Sequence, residues 1–184
     1  AVALPAANGA EILLWRDSQV LVLDFVSEFL FFATVLLVPG TLALYQALVD
    51  VDGTKRATGW GIIAAAIPVM AVMLIIHGRL VYPIYGMRVD TPEAAALVVM
   101  VFYGGLHAIY LLLALATIIL SLAMKRGGYA KWVVHFGFAT AALDVLGSYP
   151  WAIGPVLMLA CELCLGGWFV AVGSQLVRVR GSAA

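Results

Sequence analysis

Seven ionisable side chains lie inside otherwise apolar stretches of this chain: Asp24, Glu28, His77, Arg79, His107, Asp144 and Glu162. A charged group near the middle of a bilayer costs about 3 to more than 10 kcal/mol, so such groups pair, face water or serve a site. Together they form a candidate ligand- or ion-binding set. Glu28, His77, His107 and Glu162 are the members best suited to iron, zinc, manganese or copper. His77 and His107, on different helices, could also hold a b-type haem. Covalent c-type haem is out, because no Cys-x-x-Cys-His occurs. Cys161-Glu162-Leu163-Cys164 has the spacing of a redox dithiol. No second pair is present to relay electrons, so two small apolar side chains on a helix is the simpler reading.

Charge balance sharpens the question. Four carboxylates stand against one arginine, which leaves three negative charges if both histidines are neutral. A low-dielectric site cannot hold that imbalance. Protonation, a bound cation or a water-filled pocket has to resolve it. The chemistry offered is binding of a cation or small polar ligand, with a metal- or haem-dependent membrane oxidoreductase as the alternative. No catalytic residue is identified.

The elements that must position these groups are membrane helices. The chain is 65% hydrophobic and 11% charged, with mean hydropathy +1.09, against about 45–50% apolar and 25% charged in soluble domains. It reads as an all-α integral membrane protein, one domain over 1–184. Zero net charge gives no case for nucleic acid. Apolar runs long enough to cross about 30 Å predict five spans, at about 20–49, 59–85, 93–124, 131–149 and 153–177. Pro39-Gly40 predicts a kink in the first. Thr91-Pro92-Glu93 predicts a helix start, and Lys125-Arg126-Gly127-Gly128 a helix end.

Basic residues orient the bundle. Lys55, Arg56, Lys125, Arg126, Lys131, Arg178 and Arg180 follow the first, third and fifth spans, which makes that side cytoplasmic. The N-terminus is then outside and the C-terminus cytoplasmic. Residues 8–19 form a short outer segment, and residues 1–7 lack the basic start of a signal peptide. At ~1.5 Å per residue, Asp24 and Glu28 lie about 6–13 Å below the outer interface. His77 and Arg79 lie about 9–12 Å down, Asp144 about 8, Glu162 about 14 and His107 about 20. The seven are thus expected to share the outer half of the membrane.

Simpler roles are open for each. Asp24 can be hydrated at the surface, and Glu28 can pair with Arg79. His107, between Tyr103 and Tyr110 on one helix face, can be a packing histidine. Asp144 can join helices by hydrogen bonds alongside Thr140 and Ser148. Glu162, placed deep among Cys161, Cys164 and small residues, has no such simple role. His135 falls near the inner interface, away from the set.

The last span carries small residues at Gly154, Ala160, Gly166, Gly167, Ala171, Gly173 and Ser174. Gly167-x-x-x-Ala171 permits close helix approach. Gly166-Gly167-Trp168, followed by Val172-Gly173-Ser174-Gln175-Leu176 and Arg178, resembles the closing helix of uncharacterised multi-pass bacterial membrane proteins, a class of domains of unknown function. The resemblance implies a bacterial inner (plasma) membrane; no catalytic residue carries over from it, since none is established for that class. The expected partners are the lipid bilayer, other membrane subunits or a second copy through span 153–177. The expected role is accessory subunit of a membrane complex, or binder of a small polar ligand.

Overall fold

The computed structural model describes residues 8–181, with side chains through Leu176; residues 1–7 and the side chains of Arg178 and Arg180 lie outside the described part. The chain forms α1 (Gly9–Ser18), α2 (Val20–Ala47), α3 (Gly53–Val81), α4 (Pro92–Arg126), α5 (Lys131–Gly147) and α6 (Pro150–Gly181). Four of these, α2, α3, α4 and α6, are long and apolar enough to cross a membrane. α5, with 17 residues, is about 25 Å long.

Local chemistry sets the ends. Asn8 Oδ1 accepts from the Glu11 N–H at 2.9 Å, Asp52 Oδ1 from Lys55 N–H at 3.2 Å and Thr91 Oγ1 from Ala94 N–H at 3.3 Å. Each satisfies a donor that the first turn leaves free. The Asp52 cap starts α3 early, so Lys55 and Arg56, read as a loop, lie in its first turns. α4 ends as its glycines predict. Gly128 takes φ +73°, and the Tyr129 N–H returns to the Met124 carbonyl at 3.2 Å, closing a Schellman turn. α2 and α3 run on through Pro39 and Pro68. The break falls instead in α6 at Gly154 (φ 66°, ψ 162°), a conformation open essentially to glycine alone.

The long helices pack in chain order, α2 on α3, α3 on α4, α4 on α5 and α5 on α6. Each neighbouring pair is antiparallel. Ser27 meets His77 while Tyr45 stacks near Trp60. His77 stacks on Phe102 while Gly59 abuts Leu120. Tyr110 abuts Gly147 while Ser121 abuts Gly137, and Gly147 and Gly137 touch Cys161 and Trp168 in turn. The result is an open row with α4 at its centre. The most apolar window of α4 is 50% buried, against 17% for α2 and 22% for α6 at the edges. α2 buries a single seam at Leu23, Ser27, Thr34, Thr41 and Leu44. Its phenylalanines at 25, 29, 31 and 32 face outward. α1 lies against the start of α4, where Ile12, Leu80 and Ala95 form a small separate core.

Candidate functional site

The structure divides the seven groups between the two faces of α4. On the α2–α3 side, His77 is buried, and its Nδ1 shares a 2.7 Å hydrogen bond with Ser27 Oγ. Its ring lies 4.9 Å from that of Phe102. The Tyr82 hydroxyl donates to Glu28 Oε1 at 3.1 Å and stands 3.5 Å from the Asp24 carbonyl. Arg79 Nη2 reaches the Met87 carbonyl at 3.5 Å. Among the described residues no Glu28–Arg79 ion pair forms within 4.0 Å; Tyr82 engages the first and the loop after α3 engages the second.

On the α5–α6 side, His107 Nδ1 donates to the Ser148 carbonyl at 2.7 Å. Its ring packs against Tyr149 and Trp151, with centroids 5.0 and 5.8 Å away. The histidine therefore pins the two-residue turn between α5 and α6, in keeping with a packing role. Asp144 is different. It is 0% exposed, and neither carboxylate oxygen has a hydrogen-bond partner among the described residues. Tyr110 of α4 and Cys161 of α6 are its neighbours. Thr140 and Ser148, expected to share its hydrogen bonding, donate instead to the carbonyls of Cys164 (3.4 Å) and Val145 (2.7 Å). A buried polar group left this way costs about 1–3 kcal/mol, and more if charged.

The two groups also differ in level. His77 meets α4 at Phe102 and Asp144 meets it near Tyr110, about 12 Å further along the helix. A common depth for all seven is thus not what forms. The physical reason is the length mismatch, since α5 stops beside His107 while α3 and α4 continue. Burial differs from expectation as well. Of the four carboxylates only Asp144 is buried; Asp24 is half-buried, and Glu28 and Glu162 are exposed. In an open row the edge helices turn outward the faces that a closed bundle would cover.

No three His, Cys, Asp or Glu side chains among the described residues are placed to share a metal ion. His77 faces Ser27 and Phe102, whereas His107 faces the α5–α6 turn, so the two do not confront each other across a haem-sized gap. Cys161 and Cys164 are both free thiols, the first packed against Gly147. His135 is exposed near the Lys131 end, as expected.

One charged residue was not among the seven. Arg16, expected in a surface segment, is 9% exposed. It donates to Asp17 at 2.8 Å and to the Val89 carbonyl at 2.6 Å, with Asp90 at 3.7 Å. The sequence signal was Asn8-x-x-Glu11, a capping pattern that makes residues 9–18 a helix and gives Arg16 a fixed face. Compared with protein-family models, with curated proteins and with solved structures, the chain matches none.

Proposed function

We propose that this protein is an accessory subunit of a membrane complex, crossing the bacterial inner membrane five times with its N-terminus outside. α5 supports the fifth crossing, because it lies antiparallel between α4 and α6 and its length reaches the lower limit of a span, about 17 residues. Lys55, Arg56, Lys125, Arg126 and Lys131 gather at one end of the row, which supports placing that end in the cytoplasm. The likeness of the closing helix to multi-pass bacterial proteins belongs to the same reading.

The observation that carries the role is the outward face of α6. Val156, Leu159, Leu163 and Val170 are exposed there, and a Cβ placed on Gly166 or Gly173 would meet nothing within 4 Å. These six positions repeat at the spacing of a helix–helix seam, and open glycines let a second backbone approach. Glu162 is exposed beside this seam, in the middle of a membrane helix, with the Tyr110 hydroxyl of α4 as a polar neighbour within the chain. Lipid is a poor neighbour for a carboxylate, whereas a partner helix offering a hydroxyl or a cation is a good one. A photo-crosslinker at Val170 in native membranes should join the chain to one other polypeptide. Crosslinks to lipid or to a second copy alone would overturn the role.

A second reading is favoured by Asp144. Its partnerless carboxylate, close to Tyr110 and Cys161, suits a proton or small cation. Asp144→Asn should then abolish cation- or pH-dependent stabilisation of the purified protein, and an unchanged response would remove this reading.

A further inference from the structure

At the α1 end of the row, Arg16, Asp17, Arg79, Tyr82 and Arg88 line a hollow of about 40 Å³, floored by Val20, Leu23 and Leu80. Three arginines converge there from three different segments: α1, the last turn of α3 and the loop before α4. Within that loop the chain reverses in a two-residue turn at Tyr85-Gly86, both at positive φ, closed by paired hydrogen bonds between Ile84 and Met87 (3.1 and 3.0 Å). The turn fixes the Met87 carbonyl beside Arg79 and delivers Arg88 to the rim.

The charges do not balance inside this hollow. Arg16 is met by Asp17 and Asp90. Arg79 and Arg88 have no carboxylate within 4.0 Å among the described residues. Arg79 Nη1 is buried with no acceptor, and Nη2 has only the 3.5 Å contact to Met87. A buried guanidinium N–H without an acceptor is costly, so an oxygen-rich partner is missing. Guanidinium forks fit the oxygens of a phosphoryl group in bidentate fashion. The volume exceeds the ~10–15 Å³ that a single water requires. Tyr85, Ile84 and Met87 on the turn are exposed, as suits a segment lying among lipid headgroups.

We propose that this recess binds a phosphoryl group, held between Arg79 and Arg88, supplied either by an anionic lipid headgroup or by free phosphate. The site is independent of the α6 face, so either can fail without the other. Two measurements on the full chain separate the sources. One is native mass spectrometry after release from nanodiscs of equal phosphatidylglycerol and phosphatidylcholine. The other is thermal unfolding in detergent with inorganic phosphate titrated in. For a lipid site, the wild type should retain phosphatidylglycerol about tenfold over phosphatidylcholine, the scale of one charge-assisted contact pair. Arg79→Gln with Arg88→Gln should bring that ratio to unity. For a free-phosphate site, phosphate should raise the melting temperature without lipid enrichment, and the same pair of changes should erase the shift. Arg88→Gln alone, at an exposed position, should weaken either signal and keeps the test readable if the double variant does not fold. Lys125→Gln, at the opposite end, should leave both signals intact. No enrichment and no phosphate shift in the wild type would overturn the proposal, as would either signal surviving in the double variant.

Discussion

The two faces of α4 carry similar polar inventories and settle their most buried titratable groups in opposite ways. On the α3 face the buried histidine has its hydroxyl and Tyr82 has its carboxylate. On the α5 face Asp144, Ser121 and Trp168 each bury polar atoms without a partner among the described residues. Both faces pack closely, since a Cβ on Gly105 would overlap Met73 Sδ on the α3 side as well; the difference lies in which atoms are crowded. Gly137 lets α5 come so close that a Cβ there would overlap the Ser121 hydroxyl and lie 2.7 Å from Trp168 Nε1. At the α5 contact the crowded atoms are polar, Ser121 Oγ and Trp168 Nε1, and neither gains a partner among the described residues. The α3 face satisfies His77 and Glu28 but leaves Trp60 Nε1 and Arg79 Nη1 without partners among the described residues, beside an edge helix, α2, that buries little else.

This contrast can be broken by substitution. The largest effect belongs to Trp168, which is fully buried. Trp168→Ala should cost about 3–5 kcal/mol, read by thermal unfolding in detergent, whereas the half-buried Trp60 on the α3 side should lose clearly less on the same change. Next, His77→Leu should cost about 1–3 kcal/mol by stranding the Ser27 hydroxyl. Adding Ser27→Ala should recover part of that loss. Asp144→Leu should behave in the opposite sense, neutral to stabilising by about 1–3 kcal/mol, because it replaces a partnerless buried carboxyl by an apolar group of similar size. A large destabilisation there would mean that the carboxyl has a partner in the membrane.

The smallest effect is at the Lys125 end, where Asp52 links the two helices by pairing with Lys55 and with Arg126 at 2.7 Å. The Lys55 side chain, followed by its backbone N–H, holds the Asp52 carboxyl below its ordinary value of 3.8. A lowered carboxylate pKa stabilises the fold above the ordinary value and loses that contribution as pH falls through the lowered one. The melting temperature should therefore decline modestly below about pH 4, and Asp52→Asn should flatten that part of the profile.

Much of the fold was legible because membrane helices announce themselves by apolar length. The spans at 20–49 and 93–124 match α2 and α4 within two residues, and the Thr91 cap and Gly128 end are where local chemistry put them. The start of α3 was missed because the Asp52 cap recruits a polar turn that hydropathy assigns to a loop. The arrangement of the site was less legible. Depth along each helix can be counted from sequence, but which face turns inward depends on the neighbours. Nothing in the residues around Glu162 says that α6 lies at the edge of an open row. Likewise the turn at Tyr85-Gly86, which brings Arg88 beside Arg79, contains a non-glycine residue at φ 52° that composition gives no reason to expect.

We propose that the uncovered face of α6 belongs to a partner. The most direct test is the mass of the particle purified in mild detergent, compared with the 19.5 kDa of the chain. A stoichiometric complex with a second, different polypeptide is expected, released when Gly166→Leu and Gly173→Leu fill the open seam. A wild-type chain that runs as a lone monomer or as a homo-oligomer would contradict it.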